Sequence, residues 1–255
     1  MALDFARPLN DKVAIVTGAS RGIGSAIALG MSAAGAKLLL TSRVETGCDD
    51  VADEIRAAGG EALVAVADLH EPTVADSVVQ RAVDQWGTVD VLVNNAGMLR
   101  PHFVEKITAQ ELDELFTVNF RGPFAFCLAA LPYLRQGGGS IVTISALSAT
   151  RGQPGMGAYA ASKAAMLSMT QTMAREWGPL GIRVNTVVPG AVATDMIMPR
   201  DETKREQFLL DMGTKACLGR IATPEDLVGP TVFLAGSHSA YVTGHALFVD
   251  GGALE

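Results

Sequence analysis

The chain has 255 residues, 49% hydrophobic and 18% charged, a globular composition with no polar low-complexity tract. Its formal net charge is −7 and no cluster of Lys and Arg stands out, which argues against nucleic acid or anionic membrane as a partner. No uninterrupted apolar run reaches the roughly eighteen residues of a membrane span, and MALDFARPLNDK lacks a signal-peptide core, so a cytoplasmic protein is expected.

VAIVT (13–17) reads as a buried strand, followed by a glycine-rich turn and a helix from about Ile23 to Ala34, with Gly35 placed to end it. KLLLTS (37–42) is the next strand, CDDVADEIRAAGG (48–60) a helix ending in glycines, and ALVAVAD (62–68) a third strand. TVADSVVQRAVDQWG (73–87) is a helix and VDVLVNN (89–95) a strand. Thr108 and Glu111 form a capping box that opens a long helix towards Arg135. SIVTIS (140–145), a helix over 158–177, IRVNTVV (182–188), a helix over 224–235 and ALFVD (246–250) complete the order.

Continuous apolar strands alternating with helices predict an α/β fold, a doubly wound parallel sheet with helices on both faces. The length fits one large unit, so residues 1–255 are expected to form a single domain. The stretch 191–221 has no strand character and follows a strand end, where such sheets bind ligands; it is expected to be a mobile lid. Cys48, Cys127 and Cys217 are far apart, odd in number and without metal-ligand spacing. They read as isolated reduced thiols, and no metal is expected.

Strand one runs into TGASRGIG, with glycines at 18, 22 and 24. This departs from the G-x-G-x-x-G spacing, but the physics carries over. Glycines allow positive φ and close approach, and the next helix offers free N–H groups to a pyrophosphate. Gly18, Ser20, Arg21, Gly22, Ile23 and Gly24 are therefore candidate dinucleotide contacts. About twenty residues on, where a carboxylate would accept hydrogen bonds from the NAD ribose, stand Ser42 and Arg43. Arg43 can grip a 2′-phosphate, with Arg21 approaching from the other side, so NADP is expected over NAD. Further strand ends supply Asp68 and Leu69, then Asn95, Ala96 and Gly97, then Pro189, Gly190, Val192 and Thr194.

TGASRGIG, NNAG, Asn119 in FTVNFRG, Tyr159-Ala-Ala-Ser-Lys163, VVPG and YVTGHALFVDGG, in this order over nearly the whole chain, resemble the short-chain dehydrogenase/reductase family. The resemblance implies a single-domain Rossmann fold with seven parallel strands, ketone/alcohol chemistry with NAD(P), and a homotetramer built through the two long helices and the C-terminal strand. It implies that Tyr159 is the general acid/base and that Lys163, four residues on, stabilises the phenolate and bonds the nicotinamide ribose. Asn119 is implied to hold a water in the proton relay, and Thr194 to meet the carboxamide.

One position departs from the pattern. The family's serine, thirteen residues before the tyrosine, corresponds here to Ala146. Ser148 could substitute if the loop bends, since an extended chain would displace it by roughly 6–7 Å. Ser145 is adjacent but should face the other side of the pleat. Alternatively, Ala146 is a deliberate replacement that slows turnover so that ligand can be trapped, and this account is narrowly preferred.

The expected activity is NADP(H)-dependent hydride transfer between nicotinamide and a secondary alcohol or ketone. A cofactor-binding scaffold crippled by Ala146, or an NAD-dependent alcohol or sugar dehydrogenase, are the alternatives. The substrate pocket is expected at Met98, Leu99, Ala146, Ser148, Pro154, Met156 and 191–216, largely apolar with few charges. That suits a neutral ketone, a sugar or polyol, or a 3-oxoacyl compound.

Overall fold

The computed structural model describes residues 6–253; the first five residues and the last two lie outside the described residues. Short runs rich in Val, Ile and Leu become the strands β1 (Val13–Thr17), β2 (Lys37–Ser42), β3 (Ala62–Val66), β4 (Val91–Asn94), β5 (Gly139–Ile144), β6 (Ile182–Pro189) and β7 (Ala246–Val249). They form one parallel sheet in the order β3-β2-β1-β4-β5-β6-β7. The order reverses between β1 and β4, and this is the switch point at which such sheets open a crevice.

The helices are α1 (Gly22–Ala33), α2 (Thr46–Ala57), α3 (Val74–Trp86), α4 (Ala109–Phe116), α5 (Gly122–Gly137), α6 (Gly157–Trp177), α7 (Arg205–Gly213) and α8 (Val228–Ala235). Because successive strand residues point to opposite faces, β1 feeds two cores at once. Ala14 and Val16 pack with Ile27 and Met31 of α1, Ile55 of α2 and Leu234 of α8. Val13 and Ile15 pack with Val79 of α3, Phe126 and Leu134 of α5, and Met166 and Met173 of α6. Each such side chain, fully buried, contributes roughly 1.5–3 kcal/mol relative to exposure, so the two-faced burial holds the strand ends in fixed register.

Several expected boundaries shift for local reasons. α2 starts at Thr46 rather than Cys48, because Glu45 already has helical φ and ψ and its carbonyl accepts from the Cys48 N–H at 2.8 Å. The capping box at Thr108 is present, with the Glu111 N–H donating to Thr108 Oγ1 at 3.2 Å. The long helix it opens is broken by a π turn over Thr117–Arg121. The helix expected from Pro224 begins as a 3-10 turn, Pro224–Leu227, before α8.

The continuous helical stretch Ala109–Gly137 is 29 residues long with a mean hydropathy of 1.2 over its most apolar window, enough by length and composition to cross a membrane. Polar residues are scattered through it, so no uninterrupted apolar run of that length occurs. Phe126, Cys127, Ala130 and Leu134 within it are buried against the sheet, as in a core helix.

Residues 191–221 leave the sheet after β6 and are tied at their base. Val192 and Ala222 form a parallel bridge, with Ala193 N–H to Ala222 O at 2.8 Å and Ala222 N–H to Ala191 O at 3.1 Å. Near their far end, Cys217 and Leu218 donate to the carbonyls of Gly252 and Gly251. The carboxyl ends of β1 to β7 and this segment together enclose a cavity of about 1840 Å³.

Candidate active site

The turn after β1 forms as it does because of its glycines. Gly18 has φ +66°, and a Cβ there would lie 2.8 Å from the Ala96 Cα. A Cβ on Gly24 would lie 2.2 Å from the Gly18 carbonyl oxygen. Only glycines let α1 start this close to the strand end, and so bring its first N–H groups to the cavity. Thr17, which the sequence reading passed over, anchors the turn: its Oγ1 accepts from the N–H of Asn95 at 3.1 Å and of Ala96 at 3.0 Å. Its position as the last residue of β1 was the available signal. Asn95 answers by donating Nδ2 to the carbonyls of Thr17 and Gly18, both at 3.0 Å, so its side chain braces the turn.

All the candidate cofactor residues line the one cavity. Ser42 caps its own loop, with Oγ donating to the Val44 carbonyl. Arg43 is exposed beside it. Asp68 accepts from the His70 N–H at 3.0 Å and meets the His70 ring at 2.7 Å; these bonds, the backbone one first, hold its carboxyl below the usual range. Thr194 reaches the glycine turn from the far side, where a Cβ on Gly22 would lie 3.3 Å from its Cγ2. Arg21 does not stand free beside Arg43 as expected. It turns to Asp195 at 3.6 Å, an exposed pair of the kind that contributes roughly 0–1 kcal/mol.

Tyr159 and Lys163 lie four residues apart on α6 and both line the cavity. Lys163 is buried, and its Nζ donates to the Ile144 carbonyl at 3.0 Å. Gly97 makes room for it: a Cβ there would lie 3.0 Å from Lys163 Nζ and 3.2 Å from Asn119 Oδ1. Burial pushes the Lys163 ammonium down to about 8 and the Tyr159 phenol up to about 12. Desolvation is the cause of both shifts.

Asn119 sits in the π turn, buried, and does not line the cavity. Its Oδ1 accepts from the Met98 N–H at 2.9 Å, while Nδ2 donates to the Met98 carbonyl at 3.0 Å and to Ser162 Oγ at 2.9 Å. The side chain thus fixes the backbone at Met98 and ties it to Ser162 of α6.

Ala146 is extended, with φ −157° and ψ 151°, and the chain then bends into a 3-10 turn, Leu147–Ala149. Ala146, Ser148, Met98, Pro154 and Met156 all face the same cavity. The cavity as a whole, cofactor end included, is lined by eight Lys and Arg and five Asp and Glu. Among the described residues, no group of three or more His, Cys, Asp or Glu is placed to hold a metal ion.

Residues 18–253 match a family profile described as enoyl-(acyl carrier protein) reductase. The chain is 39% identical over 249 residues to an L-rhamnose 1-dehydrogenase (NAD(P)+) of Sphingomonas sp. (strain SKA58), covering 96% of both chains. It is 35% identical to a 3-oxoacyl-(acyl-carrier-protein) reductase of Thermotoga maritima, covering 96% of this chain and 98% of that one. A solved structure from Beutenbergia cavernae, assigned as an NAD(P)-dependent gluconate 5-dehydrogenase with NADP bound at low occupancy, superposes with a TM-score of 0.89 at 38% identity, over 97% of this chain and 98% of that one. The expected seven-stranded Rossmann sheet is thereby found in a relative of known structure. The chain belongs to the short-chain dehydrogenase/reductase family, whose members are oxidoreductases using NAD(P) on small molecules.

Proposed function

We propose that the protein is an NADP(H)-dependent oxidoreductase that interconverts a secondary alcohol and its ketone. The observation that carries this reading is the meeting, in one cavity, of the glycine turn, Arg43 and the Tyr159–Lys163 pair. A turn that a Cβ would fill, and a cavity of about 1840 Å³, fit a dinucleotide with room for a substrate. When bound, the nicotinamide supplies the hydride.

The chain's own residues supply the rest. The Tyr159 phenol keeps its proton at neutral pH and can give it to the carbonyl oxygen as carbon receives the hydride. Lys163, still mostly protonated at pH 7, sits one helical turn away and re-supplies positive charge to the phenolate left behind. In the oxidation direction the phenol must first lose its proton, which its burial opposes, so the rate of alcohol oxidation should rise with pH. Arg43 offers a guanidinium fork to a 2′-phosphate, and the last residues of β2, Thr41 and Ser42, are not carboxylates.

Ala146 favours a second reading, a cofactor-binding scaffold with little turnover. Loss of NADPH absorbance across a panel of ketones, run beside a binding titration, separates the two. Tyr159→Phe should cut the rate by roughly 10²–10⁴. Arg43→Ala should raise KM for NADPH by about tenfold or more while leaving that for NADH within about twofold. Tight NADPH binding with no consumption, or a Tyr159→Phe variant as fast as the parent, would sink the oxidoreductase reading.

We further infer a cytoplasmic homotetramer, with residues 1–255 as one domain and 191–221 as its lid. Leu112 and Leu128 on α4 and α5, and Phe248 on β7, are exposed apolar side chains on the elements that would join subunits, which supports this assembly.

A further inference from the structure

The charge of the cavity does not follow that of the chain. In a protein of net charge −7, its lining is cationic by three. Three of the eight cations are neutralised by ion pairs: Arg21 with Asp195 at 3.6 Å, Arg100 with Glu114 at 3.4 Å and Arg220 with Asp226 at 2.6 Å. Lys163 belongs to the proton-transfer pair, and Arg43 stands at the adenosine end. Arg151, Arg200 and Lys215 remain. None of them has an ion pair or a side-chain hydrogen bond among the described residues.

These three lie on two separate segments that line the cavity. Arg151 belongs to the loop that carries Ala146, Ser148, Pro154 and Met156. Arg200 and Lys215 bracket α7, whose Phe208 and Met212 also line the cavity. Lys215 lies in the turn just past α7, three residues after Met212, and lines the same cavity. A single unpaired arginine at a rim is ordinary and solvated. Three from two segments, on the lining of one cavity that also carries Met98, Met156, Phe208 and Met212, put unpaired positive charge beside apolar surface.

We propose that the substrate carries an anionic group, a carboxylate or a phosphate, remote from the reacting carbon, and that Arg151, Arg200 and Lys215 select it. The proposal rests on the oxidoreductase reading and adds the substrate's chemical class to it. Fork-shaped guanidiniums suit either anion, while the ammonium of Lys215 acts as a point charge. The apolar residues that share the cavity with them, Met98, Met156, Phe208 and Met212, suit a carbon skeleton between the charge and the carbonyl. The sugar, polyol or simple ketone expected from sequence would leave all three cations unused.

The test is the initial rate of NADPH oxidation with ketones paired to differ only in charge. Levulinate and 7-oxooctanoate are each compared with their methyl esters, and dihydroxyacetone phosphate with dihydroxyacetone. The anionic member of at least one pair should have a kcat/KM about tenfold higher or more, and the advantage should shrink as salt rises from about 0.05 to about 0.5 M. Whether the oxo acids or the phosphate show it tells the two anions apart. Arg151→Ala, Arg200→Ala and Lys215→Ala should each lower the anionic-to-neutral ratio by about threefold or more, chiefly through KM; Arg151→Lys and Lys215→Arg should largely keep it. Because the ratio compares two substrates of one variant, loss of folded protein does not imitate the effect. Equal rates within every pair, or an advantage that survives in the triple alanine variant, overturns the proposal while leaving the oxidoreductase reading intact. If no ketone of either charge is reduced in a Tyr159-dependent way, both fail together.

Discussion

Three hydroxyls lie close to Ala146 in sequence or in space, and the bonds each already makes decide what it can offer a carbonyl oxygen. Ser145 is buried and donates to the Lys163 carbonyl at 3.4 Å, on the far side of the pleat as its position predicts. Ser162 donates to the Tyr159 carbonyl at 2.7 Å and accepts from Asn119. Ser148 is half-buried and faces the cavity, and its hydroxyl has no partner among the described residues. The 3-10 turn after Ala146 is the bend that would bring it nearer. Ala146→Ser is expected to raise kcat by roughly tenfold or more, as an added oxyanion donor should. An unchanged kcat, with a loss in Ser148→Ala, would instead assign the donor to Ser148. The glycine turn, the Tyr-Lys pair and the alanine gap were all readable from residue type and spacing, because each is local. The positive end of the cavity was not. Arg151, Arg200 and Lys215 are ordinary surface residues until two separate segments fold over the same space.

Among the elements, the link between β6 and α8 shows how a charge can serve packing alone. Arg183 on β6 donates to the carbonyls of Leu234, Ala235 and Gly236, at 2.8, 3.2 and 2.9 Å, and to Ser239 Oγ at 2.6 Å. These are the orphan carbonyls at the C-terminal end of α8. Arg183→Met should strand the Ala235 carbonyl, while Leu234 and Gly236 keep bonds from Ser140 and Ser239, and cost about 1–3 kcal/mol, lowering Tm by roughly 3–9 °C in a thermal melt. Because Arg183 does not line the cavity, KM for NADPH should stay close to that of the parent. A Tm within about 1 °C of the parent would show that water replaces the guanidinium at no cost. Strand and helix order came from periodicity, which needs only the chain itself. The π turn at 117–121 did not, since nothing in FTVNFRG marks it, and Asn119's bonds to the Met98 backbone are a tertiary matter.

For the molecule as a whole, the proton-transfer site is a stability liability. The buried Lys163 has an ammonium lowered from 10.5 to about 8, whereas the unfolded chain holds that proton up to its ordinary value. Between these two values the unfolded state binds more protons, so this residue's contribution to stability rises with pH. Below about 8 the full burial penalty is present, on the order of 3 kcal/mol. Lys163→Met removes the penalty but strands the Ile144 carbonyl, which returns about 1 kcal/mol. The variant should therefore be inactive yet melt several degrees higher at pH 7, with the difference closing towards pH 10. A variant that melts lower than the parent at pH 7 would show that Lys163 is well solvated in the native state.

The bridge between Val192 and Ala222 gives the segment between them a narrow neck. A stretch of chain pinned at its neck can lengthen or change composition without disturbing the register of β6 and β7. Each doubling of a flexible loop adds only about 0.6 kcal/mol of closure cost. The residues proposed for hydride and proton transfer sit at the sheet edge and on α6, while Arg200, Phe208, Met212 and Lys215 arrive on this one stretch. Exchanging the stretch for another of different length and charge would re-aim the same chemistry at a different molecule, with the reaction centre left untouched.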